Sequence, residues 1–550
     1  RVDLHTARPG IVIGRRGANP NTAGTWFTHE GIATEEELIV DLDRVSPTSA
    51  SDGQWKERLN YLRGDRSKEG SPFRERKSAL ADVVNSGAQY VGAPGTSGSM
   101  REGRADFAKK HADRGGTVYV GVNDGMLHAF DAETGDERFA YIPSWMGPKL
   151  SALTDPGYNS EHQAYVDATP VIGDAKIGSG TSASDWKTVL VGGTGGGGRG
   201  VFALDVTDPT NFDPSKVMWE FTHLNDADMG FVIGKPRIVR LRVSGSAEKG
   251  DAVYRWFAMV PSGVNNYVES KVYKKIEDYK NNSSNYDRVF SSTGRPAIFL
   301  LALDKPAREA WVEGNNYYKI SLPFDSALST TKGTGIINLE AMTDRQGMGI
   351  TEYVFAGDLH GNLWALDFTK YGAEKWTAGH LSKFTTGSSG AYPMYIAKDA
   401  SGNIQPITAA PTILRVSGAD GEHVIGFGTG KYIEPSDAAS ARQNTYYALY
   451  DHGKGGDRPG VVGIDGRNYL QKVVSDEQGN LKPESPFTWG TPESANSTER
   501  AGWYYDLPKQ GERVVYDSTY IPLTTKVQFS SLLPDAAGAS GVCGTKGGNG

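Results

Sequence analysis

Arg63-Gly64-Asp65 places a guanidinium and a carboxylate on either side of a glycine, a tripeptide known for integrin recognition when both charges splay from an exposed turn. The residues before it argue for a different role. Trp55, Leu59 and Leu62 recur at i, i+4 and i+7, one face of a helix with Asp52 as its expected N-cap. Arg63 then falls in the last helical turn, where a cation suits the dipole, and Gly64 serves as the positive-φ stop. Gly195 to Gly200 satisfies G-x-G-x-x-G, the spacing of a phosphate-cradling loop. That chemistry needs a helix after the glycines. A strand-like run, Val201-Phe-Ala-Leu-Asp205, follows instead, so a hairpin turn is expected. The ten histidines are scattered, with His128 and His360 read as equivalent points of two similar hairpins. Asp124 and Asp358 fit turn chemistry. No H-E-x-x-H, C-x-x-C or G-x-S-x-G pattern occurs. The single cysteine, Cys543, excludes an intrachain disulfide or multi-thiolate metal site within this sequence.

The elements that hold these residues are short strands. Glycine makes up 69 of the 550 residues, well above the usual roughly 7%. With 10% aromatics, that composition reads as many strands joined by tight turns. A hairpin unit ending in apolar-x-apolar-Asp recurs along the chain. Thr117 to Asp131 turns at Asn123-Asp124-Gly125, and Tyr353 to Asp367 is its clearest copy. Thr188 to Asp205, Trp256 to Asp304 and Val424 to Asp451 are weaker copies. A hairpin with an apolar face cannot stand alone, and radial stacking of such units is a β-propeller. The terminal aspartates lie 74, 99, 63 and 84 residues apart, more than compact blades need.

Long insertions are therefore expected. Ser262 to Arg295, with Tyr267, Tyr273, Tyr279 and Tyr286, is one, and residues 451–505 around a short strand at Gly460 to Ile464 are another. The expected fold is mostly β: a modified propeller of about seven irregular blades over residues 81–550. Residues 1–80 are expected to form a helical lead-in, the alternative being one continuous domain over 1–550, and a C-terminal strand is expected to be missing.

Apolar residues at 38% and charged residues at 22% fit a globular protein with a real core. A net charge of −7 argues against nucleic-acid binding. The longest apolar run, Ala297 to Leu303, is far too short to span a bilayer, so no transmembrane segment is expected. Because the sequence opens on Arg1 without a signal peptide, it reads as a piece of a longer polypeptide.

An ordered set of segments carries a more specific resemblance. They are Asn60 to Arg66, Asp82-Val-Val-Asn-Ser86, Val120 to Asp131, Tyr353 to Trp364, Gln405 to Pro411, Gly426 to Glu434 and Gln443 to Asp451. In this order they resemble the C-terminal domain of the PilC/PilY family, tip-associated adhesins of bacterial type IV pili. The resemblance implies a non-enzymatic pilus biogenesis factor and tip adhesin that opposes retraction, at the cell surface after export through the periplasm. Minor pilins at the pilus tip and a host-cell receptor, with Arg63, Gly64 and Asp65 as the receptor candidates, are the partners it implies.

It also implies a nine-residue calcium loop, D-x-D-x-D-x-x-x-D, whose matching positions are Asp344, Gln346, Met348, Ile350 (by its carbonyl) and Glu352. Two carboxylates and one amide make a poor divalent site, so weak or absent calcium binding is expected. A purely scaffolding assembly domain is one alternative reading. A quinone-cofactor dehydrogenase is another, although the vicinal cysteine pair of many such enzymes cannot form here.

Overall fold

The computed structural model describes residues 10–14, 24–46, 49–96, 101–264, 294–307, 309–329, 332–386, 390–416, 421–453, 463–464, 466–477, 480–492, 494–521, 524 and 526–534. Cys543, the Gly-rich end and the four tyrosines of the Ser262–Arg295 insertion lie outside them.

Each expected hairpin is the antiparallel centre of one sheet. The pairs are Thr117–Val122 with Met126–Asp131, Trp186–Gly193 with Gly200–Asp205, and Val253–Pro261 with Ala297–Ala302. They continue with Thr351–Asp358 on Asn362–Asp367 and His423–Gly428 on Thr445–Asp451. In every sheet four strands lie side by side in chain order.

The sequence of the central strands dictates how the sheets stack. In Val189-Leu190-Val191 every residue is apolar, so side chains that alternate across the sheet leave two apolar faces. Leu190, Phe202 and Leu204 of the second sheet pack with Tyr141 and Leu127 of the first. Val189, Val191, Val201 and Ala203 turn the other way, onto Trp256, Ala258 and Phe299 of the third. Phe257 and Met259 of the third then meet Val354, Ala356 and Trp364 of the fourth. Phe355, Leu363 and Ala365 complete the series against Ile425, Phe427 and Leu449 of the fifth. Each such side chain contributes roughly 1.5–3 kcal/mol on burial, and only with a sheet on either side do both sets gain it.

Among the described residues five sheets of four or more strands form, against an expected seven or so blades. The extra length enlarges the end sheets instead. Ile11–Ile13 joins the first sheet parallel to Glu137–Ile142, with Thr25–Trp26 outside it. Gln471–Ser475 joins the fifth parallel to Gly502–Asp506, with Leu481–Pro483 beyond. Leu38 and Leu42 of one helix, Glu36–Leu42, and Leu59 and Leu62 of a second, Trp55–Leu62, share the first sheet's core cluster, so these two helices are built onto that sheet. The strand expected at Gly460 to Ile464 is reduced, in its described part, to one bridge between Ile464 and Tyr395.

The recurring aspartate has a mechanical role at the strand exit. Asp131 accepts from the backbone N–H groups of Glu133 (2.8 Å) and Thr134 (3.0 Å) and pairs with Arg138 (2.6 Å). Asp205 accepts from Thr207 N–H (3.1 Å) and pairs with Lys187 (2.8 Å). Asp367 accepts from Thr369 N–H (2.8 Å), and Asp304 pairs with Arg255 (2.8 Å). Asp451 accepts from Gly453 N–H (3.3 Å) and holds Lys383 (2.5 Å) in a fully buried pair linking the fourth and fifth sheets. Side-chain carboxylates that bond the backbone two residues on turn the chain out of a strand.

The turn aspartate Asp358 is wholly buried and accepts from His360 N–H, Asn362 N–H, Asn362 Nδ2 and Trp364 Nε1, each at 2.9 Å. Asp358→Ala orphans all four donors and is expected to lower unfolding free energy by about 3 kcal/mol in a urea titration. A loss under about 1 kcal/mol would contradict this account of the turn.

Candidate functional site

Asp344 to Ile350 form the turn between strands Ile336–Thr343 and Thr351–Asp358, and Glu352 lies at the start of the second strand. Gly347 and Gly349 take positive φ angles of 74° and 69°. Asp344 directs one carboxylate oxygen to Met348 N–H (2.9 Å) and the other to Ile350 N–H (2.7 Å). The Ile350 carbonyl accepts from Asp344 N–H at 2.7 Å. The Met348 carbonyl accepts from two guanidinium groups, Arg240 at 3.0 Å and Arg101 at 3.3 Å. A Cβ on residue 349 would sit 2.4 Å from Arg101 Nη1, so glycine there admits the arginine. Gln346 is exposed, and burial raises the half-buried Glu352 carboxyl above its usual range.

These residues do not fit a calcium ion. The oxygens at 344, 348 and 350 already have protein partners, and two positive charges sit against the loop where a dication would add repulsion. Among the described residues no group of three or more His, Cys, Asp or Glu side chains is arranged to hold a metal. Arg101 and Arg240 lie 247 and 108 residues from Met348, so no local sequence signal points to them.

Arg63, Gly64 and Asp65 are half-buried at the end of the helix Trp55–Leu62. Gly64 has a φ of 103°, and its N–H reaches the Tyr61 carbonyl at 2.9 Å. Arg63 points its guanidinium at the Phe27 carbonyl (2.6 Å), while Asp65 accepts from Ser67 N–H (2.7 Å). The two charges are thus engaged within the fold. Asp52, expected as the N-cap, lies ahead of the actual cap Gln54 and is drawn into an ion pair with Arg58. Arg58 is buried and also bonds the Leu42 carbonyl (2.9 Å), which explains why the carboxylate is needed there.

The glycine loop Gly195–Gly200 is the connection within the second hairpin, with a strand after it. A Cβ on Gly197 would meet the Tyr165 carbonyl oxygen at 1.7 Å, so glycine permits a close backbone approach. His128 and His360 do not occupy equivalent points. Counted back from the terminal aspartates, His128 matches Trp364, and each sends a ring nitrogen to its hairpin's turn aspartate. The turns differ in length, which moved the apparent alignment.

His128 is fully buried between Glu137 (2.5 Å from Nδ1) and Asp124 (3.0 Å from Nε2). Burial opposes its charge, but the flanking carboxylates outweigh that and raise it to about 9.

The stacked four-stranded sheets in chain order define a β-propeller scaffold, a class of binding and catalytic platforms alike. The family profile described as the PilY1 beta-propeller domain matches residues 80–254 and 327–483. The chain belongs to this family. Type IV pilus biogenesis factor PilY1 of Pseudomonas aeruginosa strain PAK is 31% identical over 517 residues, 88% of this chain and 39% of that protein. A Type IV pilus biogenesis factor PilY1 homolog of Xylella fastidiosa strain Temecula1 is 32% identical over 513 residues, 89% of this chain and 30% of that protein. The chain therefore spans two-fifths or less of the length of these curated relatives. The crystal structure of the Pseudomonas aeruginosa PilY1 C-terminal domain matches with a TM-score of 0.55 at 26% identity, over 78% of this chain and 79% of that one.

Two measurements check this geometry. Millimolar calcium or a chelator is expected to leave the melting temperature unchanged. A variant carrying Gln346→Asp, Met348→Asp, Arg101→Ser and Arg240→Ser should acquire a calcium-dependent rise. The stability supplied by His128, about 3 kcal/mol, should be fully present below pH 6.5 and decline as pH rises through about 9. His128→Asn should flatten that decline.

Proposed function

We propose that this chain is the propeller region of a type IV pilus biogenesis factor, working at the bacterial surface by binding rather than catalysis. Family membership carries the reading, together with relatives named for pilus biogenesis. The candidate chemical residues support it, because each is spent on the scaffold. Asp124, Asp358 and the strand-terminal aspartates shape turns, and His128 is clamped between carboxylates. In this reading the propeller holds its projecting segments in fixed relative positions for pilus components such as minor pilins, favouring extended pili over retracted ones. No helix among the described residues is long and apolar enough to cross a membrane.

Receptor recognition through Arg63-Gly64-Asp65 is the weaker part of the adhesin reading, since both charges have internal partners. Metal control of the Asp344–Glu352 loop is likewise disfavoured by the two arginines against it.

Deleting the propeller-coding region in the source bacterium is expected to abolish surface pili, counted by electron microscopy. Normal piliation in the deletion strain would overturn the biogenesis reading. Asp65→Glu in the intact gene is expected to leave host-cell attachment unchanged.

A further inference from the structure

A cleft of about 370 Å³ opens between the turn ends of the fourth and fifth sheets. Leu359, Ile404 and Pro406 give it an apolar wall. Four cations line it: Lys332, Lys431, Arg442 and Arg513. The two carboxylates on its rim, Glu434 and Asp437, hold Lys431 at 3.0 and 2.9 Å. Arg513 is fixed by neutral acceptors, the carbonyls of Lys431 (2.9 Å), Asp437 (2.7 Å), Ser440 (2.9 Å) and Gly511 (2.9 Å). Lys431 and Arg513 balance the two acids, which leaves the charges of Lys332 and Arg442 without compensation. Among the described residues neither of these side chains has a hydrogen-bond or ion-pair partner. Burial and the facing Arg442 guanidinium together pull the Lys332 ammonium below the usual lysine range.

Lys332 is half-buried and Arg442 is exposed at the mouth of the cleft, so two like charges face one half-open space where a ligand of opposite charge relieves their repulsion. That ligand carries negative charge beside a short apolar stem. The volume is larger than a single ion needs, and the Leu359–Ile404–Pro406 wall suits the methylenes of a glutamate. We propose that this cleft binds the carboxylates of an acidic peptide segment presented by a protein partner, with Lys332 and Arg442 as the charge-recognising pair. The assignment stands apart from the pilus reading, because it rests on the cleft alone and is tested on purified protein.

The test is a titration of the full chain with a fluorescent acetyl-Gly-Glu-Glu-Gly peptide, its Gln-for-Glu counterpart, and inorganic phosphate as competitor. Saturable binding of the glutamate peptide is expected, weakened at least fivefold in Lys332→Gln and in Arg442→Gln and weakened by added salt. Both variants should melt no lower than the parent, since relief of repulsion offsets any lost packing. Equal binding of the glutamine peptide, unaltered binding by both variants, or displacement by phosphate at the peptide's own concentration would overturn the assignment. A lower melting temperature in both variants would assign the pair a structural role instead and overturn it as well.

Discussion

The constraint from which the architecture follows is that the central strands are apolar on both faces. A strand such as Val189–Val191 cannot leave either side in water without losing transfer free energy on every residue. Each sheet therefore needs two neighbours, and the four interfaces of the series are built from alternate residues of the same strands. Among the described residues no core cluster joins the first sheet to the fifth, and other segments cover the outer faces. Helices and their leucines join the first sheet's core, and Leu507, Val514, Val527 and Phe529 gather beside the fifth, where Phe529 stacks on Tyr446 at 4.0 Å.

Polar chemistry is subordinate to this stacking. Asp131, Asp205, Asp367 and Asp451 end strands by bonding the next backbone N–H groups, and the pairs Arg138–Asp131, Lys187–Asp205 and Arg255–Asp304 tie strand to strand. The buried Lys383–Asp451 pair and the His128 cluster show one way charge enters such a core, with its counter-charge within hydrogen-bond reach, and Asp358 shows another, with four neutral donors around the carboxylate. Arg101 and Arg240 extend the same logic to the loop after Asp344, where two guanidinium groups meet the Met348 carbonyl. A guanidinium brings fixed, directional donors that depend on no solute concentration.

Local grammar was legible in the sequence, and non-local recruitment was not. The tight hairpins at Thr117–Asp131 and Tyr353–Asp367, the strand-terminal aspartates, the Gly64 helix stop and the character of the Gly195–Gly200 turn follow from residues within a few positions of one another. The number of blades was not legible, because sequence does not reveal that Ile11–Ile13 and Gln471–Ser475 add to existing sheets among the described residues. The Asp52 cap failed because Arg58 needed that carboxylate once the helix packed against Leu42 and Thr154. The arginines at the Met348 carbonyl and the Lys332–Arg442 pair come together only when distant segments meet, and no spacing rule registers that.

The parallel strand Ile11–Ile13 carries a consequence for biosynthesis. One edge pairs with the nearby Thr25–Trp26, but the partners of the other, Ala140 to Ile142, are made well over a hundred residues later, so a chain delivered from its N-terminus holds a short, fully apolar strand with one edge unpaired until the first sheet has formed. Such long-range closure is slow compared with hairpin formation. During that interval an unprotected Ile-Val-Ile edge is a natural point for a chaperone to engage, and the sheet's completion marks the moment when that protection is no longer required.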